Sequence, residues 1–143
     1  MTTMETTTET TTQLAAPFER AQLLHPGWLL RLEGFALFAA ATAAYFALEG
    51  GIGWYFGVFF VPDAGLLGYL AGMRVGAFTY NLTHAASVPL ALGALAFAMG
   101  WSFPALVALV WLAHIGFDRA IGYGLKYAGS FKLTHLQRAS AES

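Results

Sequence analysis

Four side chains that can ligate a metal ion or move a proton lie inside long apolar stretches of this chain: Asp63, His84, His114 and Asp118. An ionised carboxylate at the centre of a bilayer costs about 2.5–3.5 kcal/mol on insertion scales, so such groups are expected to face one another or water. Imidazole nitrogens and carboxylate oxygens are the ligands of non-haem iron, manganese and zinc sites. The residue types therefore predict a metal site with Asp63, His84 and His114 as ligands.

Counting residues predicts that these groups lie at one depth. Asp63 and His84 stand about ten residues before and after Arg74, so in an antiparallel hairpin both lie roughly 15 Å from the turn. His114 falls in the same layer of the last apolar stretch. Asp118 follows one helical turn later on the same face, as a fourth ligand or as a general acid or base.

A shallower position is predicted for Glu33, which lies near the beginning of the first apolar stretch. Counting residues from the end of the last apolar stretch places Asp118 and Arg119 at the same shallow depth. Two interpretations remain open at this point. Glu33 forms an ion pair with Arg119, or it acts with Asp118 as a catalytic acid or base at an inner site, the predicted site of Asp63, His84 and His114.

Four apolar stretches must position these residues. They lie near 28–48, 53–73, 76–99 and 103–124, and each is close to the roughly 20 helical residues that cross a hydrocarbon core. The chain is 57% hydrophobic and 10% charged, whereas a soluble domain is roughly 25% charged. Backbone polar groups in lipid need internal partners, and no β alternation is present. The predicted fold is all-α, an integral membrane bundle of four transmembrane helices.

The basic residues predict how the chain crosses the membrane. All 7 Lys and Arg residues fall on one side of the predicted bundle, and cytoplasmic loops hold the excess of such residues. Trp28 marks the inner interface in this arrangement, while Trp54 and Trp101 mark the outer one. The N and C termini are therefore predicted to be cytoplasmic.

The ends of the chain differ from its centre. Residues 1–16 are predicted to be a disordered, threonine-rich tail, because they contain too little apolar surface to offset the entropy of ordering. The four-helix transmembrane domain then covers 17–136, and 137–143 form a C-terminal tail. A net charge of −1 without a basic patch excludes nucleic-acid binding. The absence of cysteine excludes disulfides, thiolate nucleophiles and iron–sulfur sites.

Two prolines predict breaks in the helices beside the polar groups. Pro62 directly precedes Asp63, and Pro89 follows His84 in the third stretch; each removes a backbone donor from its helix. Broken helices at membrane depth are tolerated where they are buried in protein or line a cavity. The prolines therefore suggest a pocket at the inner site.

Polar and aromatic residues are predicted to surround this pocket and to bind the polar group of a substrate: Tyr69, Arg74, Tyr80, Asn81 and Arg119. Lys126 joins Arg74 at the cytoplasmic mouth. The alternative is that the tyrosines and basic residues are anchors at the inner interface of the membrane.

Three segments of the chain resemble a known family: PDAGLLGY at 62–69, YNLTH at 80–84 and HIGFDR at 114–119. The chain is similar to short four-helix bacterial membrane proteins that are catalogued as a domain of unknown function. The resemblance covers about residues 25–136. It implies a multi-pass protein of the cell inner membrane and no particular activity.

Three functions fit the sequence. The first is a membrane-embedded metal-dependent enzyme that acts on a lipidic or other hydrophobic substrate with a divalent iron, manganese or zinc ion. The second is a small transporter or channel, as a homodimer, in which the same acids and histidines relay protons or bind a cation. The third is a b-type haem protein with His84 and His114 as axial ligands.

Overall fold

The fold is a bundle of helices with a broken second and third span. The computed structural model describes residues 26–127. Its elements are α1 (Pro26–Ala47), α2 (Ile52–Phe59), a 3₁₀ helix (Val61–Ala71), α3 (Met73–His84), α4 (Ser87–Met99) and α5 (Ser102–Ile121). They form four helical stretches long and apolar enough to cross a membrane: Gly27–Ala47, Ile52–Ala71, Met73–Met99 and Ser102–Ile121.

The prediction of an all-α bundle with four helices apolar enough to span a membrane is therefore confirmed. The tails predicted at 1–16 and 137–143 lie outside the described residues. The cytoplasmic position of both termini remains a prediction. Large apolar side chains are exposed along all four stretches, as expected of a surface that contacts lipid.

Helix α5 is the centre of the bundle. Its most extensive contacts are with α1, followed by α4 and then α2. The backbones of α1 and α5 approach closely, because glycines face each other at the crossing. A Cβ atom added at Gly116 would stand 2.5 Å from the backbone nitrogen of Phe38 and 2.8 Å from the carbonyl oxygen of Gly34. Small residues of this kind allow membrane helices to pack without bulky side chains between them.

Both predicted breaks occur next to polar residues. Helix α2 ends at Phe59, and Pro62 lies in the first turn of the 3₁₀ helix that carries Asp63. Helix α3 ends at His84, where Ala85 is extended with φ −78° and ψ 116°. The 3₁₀ helix has 11 residues, whereas most such runs stop after about 3–4, so the change in geometry is larger than a proline kink.

The 3₁₀ helix and α3 form a tight hairpin. Gly72 makes the turn with φ 117°, a value that L side chains rarely adopt. The Thr79 hydroxyl donates a hydrogen bond of 2.7 Å to the carbonyl oxygen of Gly65. A Cβ atom added at Gly65 would stand 2.9 Å from the carbonyl oxygen of Thr79 and 3.2 Å from Cα of Tyr80. This close packing brings Asp63 to the level of His84 at the end of α3.

We expect cysteine labelling to show the α1–α2 connection, the beginning of α5 and the beginning of α3 on the sides that the basic residues predict. The chain has no native cysteine, so Gly51→Cys, Ser102→Cys and Arg74→Cys each supply one thiol. A membrane-impermeant maleimide should label the first two in intact cells and Arg74→Cys only after permeabilisation. Labelling of Arg74→Cys alone from outside would reverse the predicted orientation.

Candidate metal centre

Four side chains from three elements converge where the two broken spans meet α5. Asp63 comes from the 3₁₀ helix, His84 from the last residue of α3, and His114 and Asp118 from successive turns of α5. One ligand atom from each residue lies within 4.8 Å of the others. The structure thus brings together the three predicted ligands and the predicted fourth group.

The distances between these atoms are similar to one another. The Nε2 atoms of His84 and His114 are 3.1 Å apart. Asp63 Oδ1 lies 3.6 Å from each of these nitrogens. Asp118 Oδ2 lies 3.4 Å from Nε2 of His84 and 3.7 Å from Nε2 of His114.

Five of the six distances between the ligand atoms are close to those of a tetrahedral coordination shell. Ligand atoms placed about 2.0–2.1 Å from a central ion, at the corners of a regular tetrahedron, are roughly 3.3–3.4 Å from one another. These five distances, from 3.1 to 3.7 Å, bracket that value, and the sixth, between the two carboxylates, is no more than 4.8 Å.

The hydrogen bonds of His84 direct its lone pair into the group. Its Nδ1 lies 2.9 Å from the carbonyl oxygen of Tyr80, which can only accept, so Nδ1 carries the proton. The Thr83 hydroxyl lies 3.0 Å from the same nitrogen. Neutral His84 therefore presents an unprotonated Nε2 to the other three residues. A backbone carbonyl that accepts from the remote ring nitrogen is the usual support of a metal-bound histidine.

His114 is held by packing instead. Its Nδ1 is buried and finds no hydrogen-bond partner among residues 26–127. The ring of Phe59 packs edge-on against the imidazole, with the centroids 5.2 Å apart. The polar atoms near His114 are therefore those that surround its Nε2. A proton on Nδ1 would leave Nε2 free to coordinate an ion.

Burial and charge both favour a bound cation. His84 and His114 are 4% and 2% exposed, and the Asp118 side chain is 16% exposed. With both carboxylates ionised and both imidazoles neutral, the group would carry a charge of −2, which is expensive in a medium of low dielectric constant. A divalent ion cancels that charge. Asp63 differs from the other three, because its side chain is 40% exposed.

Several neighbours support the group. Trp111 donates a hydrogen bond of 2.6 Å from Nε1 to the carbonyl oxygen of Thr83, which lies at the end of α3. The Asn81 side chain donates a 2.8 Å bond to the Lys126 carbonyl oxygen and accepts a 2.7 Å bond from the Lys126 backbone N–H. These bonds fix the end of α3 and the segment after α5.

The other predicted site residues lie around or away from this group. Tyr80 contacts it directly, and Asn81 contacts Lys126 rather than the group itself. The ring centroid of Tyr69 is 5.4 Å from Nζ of Lys126. Arg119 lines a small cavity of about 10 Å³ beside Tyr80 and His84. Arg74 is exposed at the hairpin turn.

Glu33 lies outside the group and is exposed. Among residues 26–127 no ion pair joins it to Arg119, although both were predicted at one depth. The reason is the helix crossing. Gly34 faces Arg119, since a Cβ at Gly34 would lie 2.6 Å from the Arg119 Cβ, and successive helical residues point about 100° apart.

Two supporting residues were not predicted from the sequence, namely Trp111 and Thr83. Thr83 precedes a candidate ligand, which is a usable signal, because side chains next to a ligand often hydrogen-bond to it. Trp111 gives no such signal, since an aromatic residue in an apolar span is ordinarily a packing or interface residue. Its contact depends on the free carbonyl at the end of α3.

Comparison with known proteins supports the resemblance. A family model described as "Domain of unknown function (DUF4260)" matches residues 28–139, most of the chain. No curated protein matches the chain, and no solved structure does.

Proposed function

The chain belongs to this family of unknown function, and we propose that it is a membrane-embedded, metal-dependent enzyme acting on a lipidic or other hydrophobic substrate. One divalent ion is bound by Asp63, His84, His114 and Asp118. The observation that carries the proposal is the convergence of the four ligand atoms, with the His–His and His–Asp distances from 3.1 to 3.7 Å and all four atoms within 4.8 Å of one another.

The donor set supports iron, manganese or zinc. Two imidazoles and two carboxylates are borderline to hard ligands, which suit these ions better than Cu(I), an ion that prefers sulfur. Calcium takes six to eight oxygen ligands, and this group supplies two carboxylates. The supporting bond from His84 to the Tyr80 carbonyl is of the kind that orients histidines toward zinc and iron.

The exposure of Asp63 supports a catalytic metal site over a purely structural one. Structural metal sites are closed, whereas catalytic sites keep a position that water or substrate can occupy. Asp63 is the most exposed of the four groups and lies on the 3₁₀ helix just after a break. If its carboxylate moves off the ion, it leaves an open position and becomes a general base next to it.

The surroundings of Asp63 support a hydrophobic substrate. Phe60, Val61 and Leu67 on the same segment are all exposed, so the open side of the centre adjoins an apolar surface. A molecule dissolved in the bilayer can reach this side laterally. The proposal assigns no catalytic role to Glu33, which is exposed and outside the group.

A second candidate is a cation transporter that uses the same four residues. One observation favours it: the second and third spans are both broken at the residues that supply Asp63 and His84. Discontinuous helices that meet at membrane depth form the ion sites of many secondary transporters. In this alternative the exposure of Asp63 is the route by which the ion enters.

The haem alternative fits the geometry poorly. Axial histidines on opposite faces of one haem iron place their coordinating nitrogens about 4 Å apart, on the basis of metal–nitrogen distances near 2.0 Å. The Nε2 atoms of His84 and His114 are only 3.1 Å apart. A porphyrin does not fit between them without separating α3 from α5.

Metal analysis of the purified protein tests the proposal. Protein purified without chelator is expected to contain about one equivalent of iron, manganese or zinc per chain. Removal of the ion by a chelator should lower the thermal midpoint, because an ion that binds the folded state alone adds about 2.7 kcal/mol at one hundred times its Kd. Re-addition of the metal should restore it.

The same preparation separates the two candidates. In vesicles that enclose a metal-sensitive dye, an enzyme that retains its ion leaves the dye signal unchanged, whereas a transporter produces a time-dependent signal. Protein that binds none of the three metals, before or after treatment with chelator, would refute both candidates.

A further inference from the structure

We propose that Tyr80 is a positioning residue for two metal ligands and that it connects the metal centre to the segment after α5. This inference rests on the proposed metal-binding function. It gives Tyr80 a role different from the substrate binding predicted from the sequence. Tyr80 is buried and contacts both His84 and Asp118.

Tyr80 fixes the plane of the His84 imidazole. The two rings stack with centroids 3.8 Å apart and an angle of 16° between their planes. The backbone carbonyl of Tyr80 accepts the hydrogen bond from His84 Nδ1 at 2.9 Å. One contact restricts the tilt of the imidazole, and the other restricts its rotation about the bond to the main chain. Together they direct Nε2 toward the other three ligand atoms.

Tyr80 also reaches the carboxylate of Asp118. Its hydroxyl donates to Oδ2 at 3.5 Å, the outer limit of a hydrogen bond. The same Oδ2 atom lies 3.4 Å from Nε2 of His84. Tyr80 therefore contacts α5 through its hydroxyl group and α3 through its ring, and it holds a ligand on each helix.

The other face of the Tyr80 ring is covered by Lys126. Since the imidazole covers one face, the ammonium group, 4.4 Å from the ring centroid, lies over the other. Asn81 fixes the Lys126 backbone through two hydrogen bonds. An ammonium over a phenol ring is a favourable cation–π contact. Burial lowers the pKa of Lys126, and the carboxylates of Asp118 and Asp63 oppose that shift.

The result is a stack of ammonium, phenol and imidazole groups that ends at a metal ligand. Groups that orient ligands from behind typically change metal affinity by about 10–100-fold when they are removed. Loss of the aromatic ring should have the larger effect, because the ring provides the stacking on His84. Loss of the hydroxyl alone should have a smaller effect, since that contact is long.

The test compares Tyr80→Leu with Tyr80→Phe in full-length protein, using Co²⁺ as the probe. Cobalt reports both affinity and coordination geometry through its visible absorption. We expect Tyr80→Leu to weaken Co²⁺ binding by about 10–100-fold and to change the absorption bands. Tyr80→Phe, which keeps the stack, should retain most of the affinity. Phe78→Leu, at an exposed position on the same helix, is the control and should match the wild type.

The outcomes separate this inference from the proposed function. Wild-type protein that binds no Co²⁺, Zn²⁺, Mn²⁺ or Fe²⁺ would overturn both. Wild-type protein that binds Co²⁺ with the same affinity and spectrum as Tyr80→Leu would overturn only the role of Tyr80. If Tyr80→Leu does not fold, Tyr80→Met is measured with the same expectation, because it fills similar space without a planar ring.

Discussion

His84→Ala and His114→Ala are each expected to reduce bound metal from about one ion per chain to less than a tenth of that. Each substitution removes one of the two nitrogen ligands and leaves two carboxylates with an incomplete set of partners. The two imidazoles are also the most buried members of the group, so water cannot easily replace them. Metal content is measured on protein purified without chelator and again after incubation with Zn²⁺.

Graded substitutions make this result specific. Asp118→Asn is expected to be intermediate, with a loss of affinity of roughly 10–100-fold. Glu33→Gln is the control, because it removes an acid that is exposed and outside the group. Helicity and elution volume check that each variant is folded. Folded histidine variants that keep the metal content of the wild type would show that the ion, if present, is bound elsewhere.

Gly116→Ala is expected to lower the thermal midpoint by roughly 5–15 °C, since overpacking a tight interface costs about 1–3 kcal/mol. The new Cβ atom would stand 2.5 Å from the Phe38 backbone nitrogen and 3.0 Å from its Cα. Backbone atoms cannot rotate away as a side chain can, so α1 must shift relative to α5. The midpoint is measured by circular dichroism of protein in detergent.

Gly57→Ala is the matched control for this prediction. It also replaces a glycine in an apolar helix, but no atom lies within 4 Å of the added Cβ. Alanine favours a helix over glycine by up to about 1 kcal/mol, so the midpoint should stay the same or rise slightly. Equal midpoints for Gly116→Ala and Gly57→Ala would contradict the close approach of α1 and α5.

The depth of the candidate site could be predicted because two errors in the count offset each other. The turn lies at Gly72 instead of Arg74, and the segment before it is a 3₁₀ helix with a longer rise per residue. Asp63 precedes Gly72 by nine positions, which is roughly 18 Å at 2.0 Å per residue. His84 follows it by twelve, also roughly 18 Å at 1.5 Å per residue.

The direction of each side chain around its helix could not be predicted in the same way. Depth places Glu33 and Arg119 in one layer, but which residue of α1 faces α5 depends on the glycine crossing. Gly34 occupies the position that faces α5, and the side chain of the adjacent Glu33 points in another direction. The contact of Trp111 with Thr83 likewise depends on where α3 ends. Such details follow from packing between helices, which a residue count along one helix does not include.

The pairing of α1 with α5 has a consequence for biosynthesis. Synthesis proceeds from the N-terminal side, so among the four spans of residues 26–127 α1 is made first and its main partner α5 last. The hairpin of the 3₁₀ helix and α3 can form early, because its two segments adjoin in the chain. His114 and Asp118 lie on α5 as well. Insertion of α5 therefore completes the helix bundle and the set of four ligands in one step. A chain whose synthesis stops before α5 has neither the complete bundle nor the complete set of ligands.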